Sequence, residues 1–180
     1  MLEAARSCFA RDSYENVGLR DVSGMVGVDP ALVCRYFGNK EELFREVLRG
    51  EDHDDLFAGQ TAETLPAHLA GLICDKDQSA QHRAEKLDRL LIIMRSASSP
   101  NASEIVRKAM ETEMLEPIAD RIGGEDAMMR ASLALSLLMG SGILASVMAL
   151  DPISECNPDD LRARLTSLFR VALEVASNDG

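Results

Sequence analysis

The sequence predicts an all-helical protein, and three observations support that prediction. Apolar residues recur at the i, i+3, i+4 and i+7 spacing of helices through almost all of the 180 residues. The alternation of apolar and polar residues with hairpin turns that is typical of strands does not occur. Capping residues, prolines and glycines divide the helical pattern into segments. We therefore expect consecutive helices packed around an apolar core.

The first fifty residues predict four short helices, over residues 1–11, 19–26, 30–37 and from 40 onward. Asp29 followed by Pro30 is typical of a helix start, because Asp is a good N-cap and proline suits the first helical position. Asn39 with Glu42 three residues later resembles a capping box. Glycines follow the second and third of these helices and predict tight turns there.

The rest of the chain predicts longer helices. We expect them at 65–74, at about 80–98, at 103–122 with a kink or break at Pro117, at 125–150, and from Asn157-Pro158 to about residue 177. Residues 131–150 hold no charge and are long enough to cross a membrane. Their serines and glycines, and the acidic residues that follow, favour a buried or interface helix instead.

Charge is distributed unevenly along the chain. The net charge is −11, and residues 1–50, with seven Lys and Arg against eight Asp and Glu, account for only −1 of it. Residues 51–180, with twelve against twenty-two, account for the other −10. A protein that binds nucleic acid through overall basic charge is excluded, but a local DNA-binding surface near the N-terminus is not. The asymmetry indicates two regions with different roles.

Metal, redox and enzyme motifs are missing from the sequence. The four cysteines lie far apart without a C-x-x-C pair, so neither a disulfide framework nor a zinc site is expected. The acidic cluster 51–55 places adjacent side chains in different directions, which suits solvent better than a metal. No nucleophile elbow or phosphate-binding loop occurs. We expect no cofactor, no metal and no catalysis, although a helical enzyme with a Met-lined pocket stays an alternative. Without an apolar leader, the cytoplasm is the expected location.

The second and third helices are short, joined by a tight turn and preceded by a helix that can support them. That arrangement is typical of a helix-turn-helix, in which the third helix enters a major groove. Residues 9–44 resemble the DNA-binding domain of the TetR family of transcriptional regulators. The resemblance rests on an ordered series: Phe9, Tyr14, Leu19-Arg20-Asp21-Val22, Gly27-Val28, Tyr36-Phe37, Asn39-Lys40-Glu41 and Leu43.

The resemblance implies a helix-turn-helix domain over residues 1–48 and a helical ligand-binding and dimerisation domain over 49–180. It also implies which residues meet double-stranded DNA. Arg35 is the best candidate for a base contact, because a guanidinium pairs bidentately with guanine. Lys40 and Arg20 are expected at phosphates. The outward side of the third helix would consist of Pro30, Ala31, Leu32, Cys34, Arg35 and Tyr36.

Three departures from the family pattern motivate an alternative. Val17 and Gly18 stand where Thr or Ser is usual, and Cys34 stands where Tyr is usual, so two hydroxyl groups are missing. Met1 lies inside the first helix, where a basic segment commonly precedes it. Either the true start lies upstream or phosphate binding is reduced. The alternative is a protein of this fold with weakened DNA binding that serves as a small-molecule or partner-binding module.

The helices near 125–150 and 158–177 resemble the pair that forms the dimer interface in this family. Ser132, Ser136 and Gly140 form a stripe of small residues against which another helix can pack. A two-fold dimer would set two recognition helices about one DNA turn, roughly 34–36 Å, apart on a palindromic operator.

Methionines in the middle helices suggest a pocket for a largely apolar effector, because Met adapts to varied ligands, although it fills cores equally well. The predicted lining is His68, Leu90, Ile93, Met94, Met110, Met114 and Met128. The expected mechanism is repression. An effector that binds the C-terminal domain would favour another spacing of the recognition helices and so lower DNA affinity.

Overall fold

The computed structural model describes residues 1–49, 56–75 and 80–175, and over these residues it is helical and contains no strand. The all-helical prediction is confirmed. The α-helices are α1 (Leu2–Arg11), α2 (Leu19–Val26), α3 (Pro30–Phe37), α4 (Lys40–Arg49), α5 (Leu65–Cys74), α6 (Ala80–Ser96), α7 (Ser103–Met110), α8 (Glu116–Ile122), α9 (Ala127–Gly142), α10 (Asp151–Ser154) and α11 (Pro158–Leu173).

Two π-helical segments interrupt the longest predicted helices. The predicted helix 103–122 consists of α7, a π-helical segment at Glu111–Leu115, and α8. The expected irregularity at Pro117 is therefore a change of helix type just before the proline, which lacks the N–H that a regular turn needs. Similarly, α9 gives way to a second π-helical segment at Ile143–Val147, and Ala149 then turns the chain with a φ of 48°.

The described helices pack in two units. The first comprises Met1–His53 and Ala80–Met110, and the second comprises Asp54–Ser79 and Glu111–Gly180. In the first unit, α6 packs on α1 and α7 packs on α4. Packing thus groups α6 and α7 with the helix-turn-helix, whereas the sequence-based limits 1–48 and 49–180 separate them. Those limits stay a prediction of domain organisation.

Three aromatic rings form the centre of the first unit. Phe44 meets Phe9 and Tyr14 edge to face, with ring centroids 4.8 and 4.9 Å apart. Edge-to-face contacts of this kind add to the free energy gained from burying the rings. Arg6 of α1 pairs with Glu85 of α6 at 3.1 Å, which fixes the two helices against each other. The helix-turn-helix packs on the two helices that carry this core, with α2 against α1 and α3 against α4.

The second unit is built around α5, α9 and α11. Helix α11 packs on both α5 and α9, and α8 packs on α9. The fully buried side chains at the centre of this unit are apolar: Phe57, Leu65, Leu69, Ala70, Ile118, Ala131, Ala134 and Phe169. Leu165, Phe169 and Leu173 lie on one face of α11 at the spacing of an amphipathic helix.

Arg130 is a buried charge in the second unit. Its guanidinium donates to the main-chain oxygens of Leu173 (2.7 Å), Glu125 (2.8 Å) and Gly123. These carbonyls lie at the last residue of α11 and in the turn between α8 and α9. Because helix ends leave carbonyls without partners, a buried guanidinium with several donors can satisfy them.

Candidate nucleic-acid interface

Local signals at its two ends fix helix α2. The carboxylate of Asp21 accepts a hydrogen bond of 2.7 Å from the main-chain N–H of Gly18, which is the N-cap residue. After the helix, Gly27 adopts a φ of 75°, in the left-handed region that favours glycine. That conformation makes the tight turn into α3, as the sequence predicted.

Helix α3 is oriented by one buried side chain. Asp29 caps the helix, accepting a 2.7 Å hydrogen bond from the N–H of Ala31, and Pro30 occupies the first turn. Val33 is fully buried and is the anchor of α3. A helix of eight residues with one anchor must present most of its remaining side chains outward.

The predicted outward residues of α3 are indeed on its surface. Ala31, Leu32, Cys34, Arg35 and Tyr36 are exposed, and Pro30 is half-buried. Tyr36 is the most exposed of the large side chains on α3 that are counted as hydrophobic, at 68%. Arg35 lies opposite Val33, because two residues separate their directions by roughly 200°. The structure thus brings six predicted residues together on one short helix.

The three predicted basic contacts differ in their surroundings. Arg20 and Arg35 are exposed, and their guanidinium groups form no hydrogen bond or ion pair with the part of the chain that the structure describes. Lys40 is half-buried. Its Nζ donates to the main-chain oxygen of Glu15 at 3.3 Å and lies 4.3 Å from the centre of the Tyr14 ring.

Burial lowers the pKa of the Lys40 ammonium, and the nearby carboxylates of Glu15 and Asp21 oppose that shift. One of its three donors is used internally, so Lys40 fastens the loop before α2 to the start of α4. Sequence reasoning missed this role. One signal for it was present in the sequence, because Tyr14 and Lys40 both belong to the ordered series that carries the family resemblance, and such residues can lie in contact.

Other basic residues nearby are paired within α4. Arg45 contacts Glu41 at 2.5 Å and Glu42 at 2.6 Å, and Arg49 contacts Glu46 at 3.1 Å. These are exposed ion pairs one turn apart, and they offset each other's charge. Among the described residues of α2 and α3, the exposed cations without a hydrogen bond or ion pair are therefore Arg20 and Arg35.

The predicted effector-binding residues are divided between the two units. Ile93 is buried, and Leu90 and Met110 are half-buried, in the first unit. His68 and Met114 are half-buried in the second unit. Met94 is 44% exposed and Met128 is 46% exposed, so neither side chain is enclosed within its own unit. A surface depression of about 340 Å³ in the first unit is lined by other residues: Ala97, Ser103, Glu104, Val106 and Arg107.

His68 has an unusual environment. Its ring meets Phe57 edge to face with centroids 6.0 Å apart. Its Nε2 is buried and has no hydrogen-bond partner among the described residues. A buried polar atom without a partner costs free energy and needs an explanation. Met114 and Leu72 are partly buried against the same core.

No group of three or more described His, Cys, Asp or Glu residues is arranged to hold a metal ion. The acidic cluster 51–55 lies outside the described residues.

Helices α9 and α11 expose apolar side chains in the single chain. Met129 and Leu133 of α9 are 55% and 51% exposed, and Val171 of α11 is 72% exposed. The hydroxyls of Ser132 and Ser136 donate hydrogen bonds to the main-chain oxygens of Met128 and Ser132, one turn earlier in α9, so the donor of each hydroxyl is already used within the helix. By length and composition alone, Ala127–Val147 would also suit a membrane span.

The chain matches two protein-family models. Residues 1–47 match the family model described as bacterial regulatory proteins, tetR family. Residues 63–173 match the model described as tetracyclin repressor-like, C-terminal domain. No curated protein sequence matches the chain. Among solved structures, a TetR-family regulator from Streptomyces coelicolor A3 is similar, with 24% identity, a TM-score of 0.49, and coverage of 96% of this chain and 91% of that chain.

The two family models agree with the observed order of elements. The N-terminal model covers α1 to α3 and most of α4, and the C-terminal model covers α5 to α11. The C-terminal match alone spans more than half of the chain. The resemblance read from residues 9–44 is thereby confirmed, and the chain belongs to the TetR family of DNA-binding transcriptional regulators.

Proposed function

We propose that this protein is a ligand-responsive repressor that works as a homodimer on a palindromic operator. The observation that carries the proposal is the outward face of α3, where the exposed and unpaired Arg35 stands opposite the buried anchor Val33. A helix anchored by one buried side chain, with a free guanidinium on the opposite side, suits bidentate contact with guanine in a major groove. In the absence of ligand, the dimer would hold two such helices at operator spacing.

The remaining DNA contacts follow from position and charge. Arg20 is exposed at the start of α2 and would bind phosphate. Tyr36 extends from α3 toward solvent and would contact phosphate or a base edge. Lys40 has donors left after its bond to Glu15 and would add a phosphate contact at the start of α4.

The dimer would form through α9 and α11. Their exposed apolar side chains, Met129 and Leu133 of α9 and Leu168 and Val171 of α11, have no cover in the single chain, and neither has Val175 just beyond the end of α11. A large exposed apolar surface favours association. The stripe Ser132, Ser136 and Gly140 on α9 would permit close approach of a partner helix.

A small, largely apolar effector would bind the C-terminal domain. The buried Nε2 of His68 supports this part of the proposal, because a ligand atom could supply its missing partner. Of the other predicted lining residues, Met114 belongs to the same unit as His68 and packs against its apolar core. Leu90, Ile93 and Met110 belong to the first unit and stay a prediction from the sequence alone. The exposure of Met94 and Met128 gives these two no support as lining residues. A regulator of this kind would work in the cytoplasm.

A protein of this fold with weakened DNA binding is the second candidate. Three observations favour it: Gly18 caps α2 without a hydroxyl, Cys34 replaces an aromatic hydroxyl, and Lys40 is turned toward Glu15. Fewer phosphate contacts would give weaker binding and a smaller dependence on salt.

Fluorescence anisotropy with the DNA upstream of the protein's own gene tests the proposal, at two salt concentrations and with scrambled DNA as a control. Tight, specific, salt-sensitive binding supports the repressor. Random-sequence duplex selection covers the case in which the operator lies elsewhere. Failure to retain any DNA in both experiments would favour the second candidate.

A further inference from the structure

We propose that Leu32 reads the 5-methyl group of a thymine in each operator half-site, next to the base pair contacted by Arg35. The inference rests on the proposed operator binding and deepens it. It names the base chemistry that α3 selects, and it assigns Leu32 as a residue that determines specificity.

The chemistry of the α3 surface points to this assignment. Of the five exposed side chains on α3, only Arg35 carries a charge. Leu32 and Ala31 offer no hydrogen-bond donor or acceptor, so they cannot read the polar pattern of a base edge. In the major groove, the apolar group that distinguishes one base from the others is the thymine methyl. An apolar side chain on a recognition helix is therefore matched to thymine.

The position of Leu32 suits a base contact. It is the third residue of α3, and residues near the N-terminus of a recognition helix contact base edges. Helical periodicity sets Ala31 and Arg35 one turn apart opposite Val33, with Leu32 and Tyr36 one turn apart beside them. Because Ala31 is short, the helix can approach the groove closely where Leu32 projects.

The main chain at this end of α3 is already engaged. The N–H of Ala31 donates to the Asp29 carboxylate at 2.7 Å. The carboxylate also places a negative charge at the helix start, which opposes a phosphate there. Recognition at the N-terminal end of α3 therefore depends on side chains, and the first three side chains of the helix, Pro30, Ala31 and Leu32, are apolar.

Substitution of deoxyuridine for thymine gives a direct test, because it removes the methyl group and keeps the hydrogen-bonding pattern. An operator is first selected from random-sequence duplex DNA with the full chain. Each thymine of both half-sites is then replaced in turn. We expect one substitution in each half-site to raise Kd about four-fold, equivalent to ~0.8 kcal/mol for one buried methyl or methylene group.

The variant Leu32→Ala completes the test as a double-mutant cycle. We expect it to weaken binding to thymine DNA and to respond little to deoxyuridine. Leu56→Ala is the matched control, since Leu56 is 42% exposed and Leu32 is 36% exposed. Leu56→Ala should keep the full deoxyuridine effect.

The outcomes are separable. Selected DNA that binds tightly but is insensitive to deoxyuridine overturns the thymine assignment and leaves the operator proposal standing. An undiminished deoxyuridine effect in Leu32→Ala overturns the assignment to Leu32. Selection that retains no DNA overturns the operator proposal and this inference together.

Discussion

The hydroxyl of Ser99 donates a hydrogen bond to the carboxylate of Glu15, joining the turn between α6 and α7 to the loop that leads into α2. The same hydroxyl accepts from the main-chain N–H of Ala102 at 2.9 Å. Glu15 also accepts from Lys40 through its main-chain oxygen. Glu15 is therefore held by Lys40 of α4 and by Ser99 in the turn between α6 and α7, and these contacts tie the loop before α2 to both places.

The substitution Ser99→Ala should lower the free energy of unfolding by about 1–2 kcal/mol, because it removes the cap from the buried N–H of Ala102. Urea denaturation measures the effect. Ser98→Ala is the matched control, since the neighbouring Ser98 is exposed. Equal midpoints for the two variants would show that the Ser99 hydroxyl contributes nothing.

The Glu15 contact should also give a dependence on pH. The hydrogen bond from Ser99 holds the pKa of Glu15 below its ordinary value. A lowered folded-state pKa adds stability that is present above the unfolded pKa of about 4.3 and is lost as the pH falls through the folded value. The stability difference between wild type and Ser99→Ala should therefore shrink in thermal melts as the pH falls toward about 3. A difference that stays constant would contradict the role of the carboxylate.

Arg130→Met should destabilise the fold by about 3 kcal/mol or more, because it leaves the buried carbonyl of Leu173 and the partly buried carbonyls of Gly123 and Glu125 without this partner. Calorimetry measures the change. Arg95→Met removes the same charge from an exposed position and should shift stability by less than about 0.5 kcal/mol. A small loss for Arg130→Met would mean that water replaces the guanidinium.

Arg35→Ala should remove the preference for operator over scrambled DNA, with a loss of about 1–3 kcal/mol in specific binding. Its exposed position predicts an unchanged melting temperature. Arg95→Ala controls for the charge in the same packing unit. Unchanged discrimination by Arg35→Ala would remove Arg35 from the base contacts.

Gly140→Leu should weaken the homodimer without disturbing the chain. A Cβ at Gly140 meets nothing within 4 Å in the single chain, so the fold accommodates a side chain there. Sedimentation velocity should show dissociation at concentrations where wild type is dimeric. Gly24→Leu, also at a helical glycine with open space, is the control and should sediment as wild type does. Identical profiles for Gly140→Leu and wild type would place the interface elsewhere.

The helix-turn-helix could be predicted because its signals are local. Asp29 caps α3 as expected, and Asn39 accepts from the N–H of Glu42 at 2.9 Å, as the capping-box spacing indicated. Gly27 takes the left-handed conformation that its place in the turn required. Each signal depends on residues within four positions of one another, so the sequence displays it directly.

Long-range relationships could not be predicted in this way. Ser99 and Glu15 are separated by 84 positions, and no spacing rule connects them. The inward turn of Lys40 depends on the fold bringing Tyr14 beneath it. Each π-helical segment is five residues long, which is too short for an apolar periodicity to separate it from the neighbouring α-helix.

The hydrogen bond from Arg130 to Leu173 has a consequence for how freely the end of α11 can change. Helices commonly end in a glycine that takes a left-handed conformation. Helix α11 instead continues into Glu174 in an extended conformation, while a side chain from α9 satisfies its last carbonyl. Because Arg130 satisfies the Leu173 carbonyl, no glycine in a left-handed conformation is needed after Leu173 to end the helix. Substitutions at residue 174 should be tolerated broadly as long as Arg130 is kept, so the two positions are expected to evolve under very different constraints.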